Sequence, residues 1–167
     1  MRVAIIIFLT IILEVICNYL FGINPNEFSL FMPLFSIVLI VYLYKFFRHE
    51  LLNYFLISAF IGLVYGIVFT NTGIVYVLLY LLVAFITAVL ASYFKPHYLI
   101  NLMIGGISIT LVLLLSYSLL IIYNVYYFNL INFVFGMLSG YLLNFVYLSL
   151  LTFIDYKTTK KPIRHLL

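Results

Sequence analysis

Glu14 stands in the middle of an unbroken apolar stretch, with Thr10 four residues before it and Asn18 four residues after. At 3.6 residues per helical turn these three side chains share one face, so a polar stripe runs along an otherwise apolar helix. A carboxylate near the middle of a membrane span costs about 2.5–3.5 kcal/mol on insertion scales. No Lys or Arg lies at matching depth, and desolvation favours the neutral carboxyl. Two roles fit: a protonated carboxyl hydrogen-bonded within a helix bundle, or a stripe that meets a partner helix or senses a substrate.

Two further stripes are built from small and amide residues. Ser58, Gly62 and Gly66 recur every four residues, and so do Asn132, Gly136, Gly140 and Asn144. Small residues at this spacing let helix backbones approach closely, and asparagines can bond across the contact for less than about 2 kcal/mol each. Contacts inside one bundle and contacts to another protein both explain such stripes. The second is longer and has Asn129 beside it, which makes its helix the expected docking surface.

Catalytic constellations are missing from the pattern. His49, His97 and His165 all fall at the ends of apolar runs, with only Glu50 and Asp155 near enough in sequence to assist a metal. The sequence contains no nucleophile elbow, glycine-rich phosphate loop, HExxH or paired intramembrane Asp motif. Cys17 is the single cysteine, so it forms neither an internal disulfide nor a CxxC site. The expectation is a protein that is not an enzyme, with no cofactor, no metal and no small-molecule substrate.

The elements that must position these residues follow from composition. Of 167 residues, 68% are hydrophobic, 20% aromatic and 7% charged, and the mean hydropathy is +1.31. A soluble domain carries about 25% charged residues, so this chain could not cover its core with polar surface in water. With lipid as solvent every backbone polar group must be satisfied internally, which leaves helix bundles and closed barrels. Barrel strands alternate in polarity, whereas the apolar runs here are continuous and about twenty residues long, so the fold class is an all-α polytopic bundle.

Six spans are predicted: Val3–Gly22, Leu30–Phe47, Leu51–Phe69, Gly73–Phe94, Tyr98–Tyr123 and Phe128–Ile154. The breaks carry turn residues: Asn24-Pro25-Asn26-Glu27, Arg48-His49-Glu50, Asn71-Thr72-Gly73, Lys95-Pro96-His97, and Asn124 to Tyr127. Residues 1–155 form one transmembrane domain, followed by a short basic tail, 156–167. Six spans put Arg2, Lys45, Arg48, Lys95, Lys157, Lys160, Lys161 and Arg164 all on one side. By chance that happens about once in a hundred arrangements, so the positive-inside rule predicts that both termini and this basic face are cytoplasmic.

The first span has one basic residue before it and no small-x-small cleavage pattern, so it is expected to stay as a helix. Tyr44, Tyr54, Tyr93, Tyr98, Tyr123, Tyr126 and Tyr127 fall near span ends and read as interface anchors. The net charge of +4 reflects topology, and the basic tail suits anionic headgroups at about 1 kcal/mol per charge, not nucleic acid.

The early proline in Met32-Pro33-Leu34-Phe35-Ser36-Ile37-Val38-Leu39, the stretch Ala59-Phe60-Ile61-Gly62-Leu63-Val64-Tyr65-Gly66-Ile67-Val68-Phe69, the turn Asn71-Thr72-Gly73 and the run Tyr76-Val77-Leu78-Leu79-Tyr80-Leu81-Leu82 together resemble the MreD family of bacterial rod shape-determining proteins. Gly66 stands where members often carry an Asp, so no role of that acid is carried over. The resemblance implies a non-enzymatic subunit of the cell-wall elongation (rod) complex in the bacterial cytoplasmic membrane. Such a subunit docks the single-span protein MreC and links MreB to the peptidoglycan polymerase and transpeptidase, regulating cell shape.

That family is also similar in build to the substrate-binding S components of energy-coupling-factor vitamin transporters, which supplies the alternative. This reading requires a polar and aromatic pocket near the outer face, for which Asn18, Asn71, Asn124, Asn129 and Asn132 with nearby tyrosines are the candidates. It also requires a small-residue face on the first helix, where Ala4-Ile5-Ile6-Ile7-Phe8 places Phe8 at the position a second small residue would need.

Overall fold

The computed structural model describes residues 2–20, 33–70, 73–94, 98–122 and 129–159. Among them are six α-helices: α1 (Arg2–Leu20), α2 (Phe35–Phe47), α3 (Leu51–Tyr65), α4 (Gly73–Tyr93), α5 (Tyr98–Ile122) and α6 (Leu130–Thr159). A π-helical segment, Gly66–Thr70, extends α3. None of the helices contains a proline, and helical geometry pairs most of their backbone groups internally, as an apolar solvent demands. Five of them are long and apolar enough to cross a membrane, so the build is that of a helical membrane bundle.

The sixth helix, α2, differs. Its 13 residues reach about 20 Å, against about 30 Å of hydrocarbon, and its residues Phe35 to Val41 are buried without interruption. A helix whose first two turns are buried on every face belongs at the centre, and α2 touches α1, α3, α4, α5 and α6. Around it Ile37, Leu39, Ile40 and Leu43 pack with Tyr54 and Ile61 of α3, Tyr80 and Val83 of α4, Ile109 and Leu113 of α5, and Leu148 of α6.

The second predicted span therefore needs correcting. Helix α2 begins at Phe35 and not at Leu30: Pro33 and Leu34 are non-helical, and residues 30–32 lie outside the described set. The cause is Pro33, which donates no backbone hydrogen bond and disfavours helical geometry in the residue before it. Helix α6 also differs at both ends. It starts at Leu130 because Asn129 caps it, with Ile131 N–H donating to Asn129 Oδ1 at 3.0 Å, and it runs to Thr159, past the predicted tail boundary.

Glycine sets one helix pair. A Cβ on Gly62 would stand 2.8 Å from the Tyr76 carbonyl oxygen and 2.9 Å from Tyr80 Cβ, so α3 and α4 approach to backbone contact there. Tyr54, expected at the membrane interface, is instead fully buried, with its hydroxyl donating to the Ile40 carbonyl of α2 at 3.2 Å. The short central helix brings that carbonyl within reach one turn into α3. Tyr93 is exposed at the end of α4 and Tyr44 is half-buried, while the side chains of Tyr98, Tyr123, Tyr126 and Tyr127 lie outside the described residues.

Candidate functional site

A helix that starts inside an apolar bundle has a physical problem: its first N–H groups have no intrahelical partner and no water. At the start of α2, two of them are met by neighbouring helices. Ser36 N–H donates to Glu14 Oε2 of α1 at 3.1 Å, and Leu34 N–H donates to Asn144 Oδ1 of α6 at 2.7 Å. The Leu34 carbonyl accepts from Ile37 and Val38, both at 3.1 Å, which closes the first turn.

The supports are themselves held. Asn144 Nδ2 donates to the Gly140 carbonyl at 2.7 Å, which fixes the amide with its oxygen toward Leu34. Ser36 Oγ bonds the Tyr80 hydroxyl of α4. Thr10, one turn from Glu14, donates to the Ile6 carbonyl at 2.8 Å and bonds the Tyr147 hydroxyl of α6 at 2.7 Å. The Tyr147 ring packs on Phe35 at 4.4 Å between centroids, joining α6 to the first residue of α2. Beside Tyr80, the Tyr65 ring lies 5.6 Å away and also meets Phe69 at 4.7 Å and Tyr76 at 4.9 Å.

The electrostatics agree with the geometry. The N-terminus of a helix carries about half a positive charge, and a carboxyl oxygen placed there both accepts a hydrogen bond and complements the dipole. Glu14 Oε2 can accept from Ser36 N–H in either protonation state. Its other oxygen, Oε1, is buried with no hydrogen-bond partner among the described residues, and so is Asn18 Nδ2.

Thr10, Glu14 and Asn18 are all buried, so the α1 stripe faces the bundle. Ser58, Gly62 and Gly66 are buried as well, with Ser58 Oγ donating to its own helix at the Tyr54 carbonyl, 2.8 Å away. Gly136, Gly140 and Asn144 are buried too, and a Cβ on Gly140 would meet Leu113 of α5 at 3.2 Å. The α6 stripe expected as a docking surface thus points into the protein over these residues, because Asn144 is drawn to the Leu34 N–H. Asn132 is helical, and its side chain lies outside the described residues.

Lys45 and Arg48 are exposed at the turn between α2 and α3, where the Lys45 ammonium stands over the Tyr42 ring, 3.8 Å from its centroid. Lys157 falls in the last turns of α6, with its side chain outside the described residues, as are Lys95, Lys160, Lys161 and Arg164 altogether. His49 is exposed, and no cluster of metal-ligating side chains occurs among the described residues. Sequence reasoning missed Ser36, Tyr80, Tyr147 and Tyr65. The only signal was indirect: Pro33 followed by a Ser at a helix start inside an apolar run.

Among the described residues, five long apolar helices pack around a short one whose first turn is buried between them. No family model, curated protein or solved structure matches the chain.

Proposed function

We propose that the protein is a non-enzymatic membrane scaffold subunit of a bacterial cell-wall elongation complex, similar in role to the MreD family. The observation that carries this reading is what the deep polar groups do. Glu14, Asn144, Ser36, Tyr80, Thr10 and Tyr147 converge on seating one buried helix start, and the outward faces of α1, α3, α4 and α6 are apolar. Such a body presents surfaces for lipid and for other membrane helices, whereas catalysis would need reactive groups gathered at a reachable point. The MreD-like segments in α2, α3 and α4 supply the partner class: a single-span MreC-like protein, and through it MreB and the glycan polymerase and transpeptidase.

In this reading both termini face the cytoplasm of the bacterial plasma membrane. Lys45, Arg48 and Lys95 with the basic tail then form the cytoplasmic face, attracted to anionic headgroups. Partner contact falls on the exposed side of α1 or α6, such as Phe8, Ile12, Leu138 and Leu142, and not on the buried stripes.

The test is purification of the tagged chain from its native membrane in gentle detergent, with mass spectrometry of polypeptides and small molecules. MreC-like and wall-synthesis proteins are expected to co-purify. A bound vitamin, or ATPase subunits in their place, would overturn the scaffold reading in favour of an energy-coupling-factor S component.

A further inference from the structure

We infer that the N-terminal end of α2 is a binding site for an uncharged hydroxyl group, hydrogen-bonded to Glu14 Oε1 and to Asn18 Nδ2. The site is built and incomplete. Glu14 is fully buried; Oε2 takes the Ser36 N–H at 3.1 Å, and Oε1, on the same carbon, has no partner among the described residues. One helical turn further along α1, Asn18 is 8% exposed and its Nδ2 is also without a partner. These are two polar groups one turn apart on the same helix face: Asn18 Nδ2 is a donor, and Oε1 accepts when Glu14 is ionised and donates when it is neutral. Each is left open at a point where an unmet hydrogen bond is costly.

Burial selects the ligand: the apolar interior disfavours an ion of either sign. A neutral group that both donates and accepts satisfies both residues, and a hydroxyl is the smallest organic group that does so. The site lies toward the C-terminal end of α1, where Tyr19 and Leu20, next to Asn18, are 85% and 71% exposed. That chemistry is carried by a lipid headgroup with free hydroxyls or by a soluble polyol. The inference does not depend on the scaffold reading, since a scaffold can hold such a ligand.

The experiment uses the full chain in phosphatidylcholine nanodiscs, which offer no hydroxyl donor in the headgroup. The probes are phosphatidylglycerol added to the bilayer in one arm and free glycerol in the other. The Glu14 carboxyl band is isolated as the infrared difference between wild type and Glu14→Gln. The band is expected to shift in at least one arm and to stay fixed in Asn18→Leu. A shift in the phosphatidylglycerol arm alone identifies a lipid, and a shift with glycerol a soluble polyol. A wild-type band that moves with neither probe means that water completes the site and overturns the inference, with or without a folded variant. A shift that survives intact in folded Asn18→Leu overturns the pairing.

Discussion

Glu14 and Asn144 do for α2 what a Ser or Asp side chain does for a helix in a soluble protein, except that they act from other helices. The distinction matters for mutants. Replacing Asn144 by Leu keeps the branched shape but strands the Leu34 N–H in an apolar interior, with an expected loss of about 1–3 kcal/mol in detergent unfolding experiments. Thr10 and Tyr147 form a separate link between α1 and α6, 2.7 Å long. A double-mutant cycle of Thr10→Val and Tyr147→Phe is expected to give a coupling of about 0.6–2 kcal/mol, the range for bonds between membrane helices. A coupling near zero would show that this link is not formed. The stripe Thr10, Glu14, Asn18 was legible in the sequence because periodicity alone puts the three on one face. What Glu14 bonds was not, since its partner is a backbone N–H 22 residues away, and a backbone donor has no side-chain signature.

At the scale of the elements, close approach and discontinuity decide the packing. Gly62 lies where α4 presents backbone, so even a methyl group must displace the Tyr76 carbonyl; Gly140 faces only the tip of Leu113, which can turn away. Gly62→Ala is therefore expected to destabilise the protein by about 1–3 kcal/mol. Gly140→Ala should cost clearly less, and thermal unfolding of the two side by side checks the order. Five of the six helices could be placed from apolar run length because lipid thickness fixes how long a span must be. The start of α2 could not. Its apolar run continues through Pro33, so hydropathy reads one long span where backbone chemistry makes a short one. Tyr54 failed for a related reason: position near a span end suggests an anchor, but a short neighbouring helix offers it a carbonyl inside the core.

For the whole molecule, the arrangement around α2 makes the bundle one cooperative unit. A helix that contacts all five others cannot leave without exposing the core, and its caps come from the first and last helices of the chain. The proposed topology makes its own demand. With Cys17 replaced by Ser, a cysteine at Glu27 is expected to react with a membrane-impermeant maleimide in intact cells. A cysteine at Lys160 is expected to react only after permeabilisation; equal labelling of both sites would contradict the positive-inside assignment. Which surface meets a partner was not legible in the sequence, because the small-residue stripes that mark helix contacts look the same whether the contact is internal or external. The burial of Gly136, Gly140 and Asn144 moves that question to the exposed apolar faces.

The most direct test of the account is the unfolding free energy of wild type, Glu14→Gln and Glu14→Leu in one bilayer mimic. If Glu14 serves to receive the Ser36 N–H, the amide of Gln can still accept and should stay within about 1 kcal/mol of wild type. Leu would orphan the donor and lose about 1–3 kcal/mol. A buried carboxyl with no such task behaves differently, because apolar replacement of a buried ionisable group is often neutral or stabilising. Glu14→Leu as stable as wild type, or more so, would contradict the claim that this residue caps the buried helix.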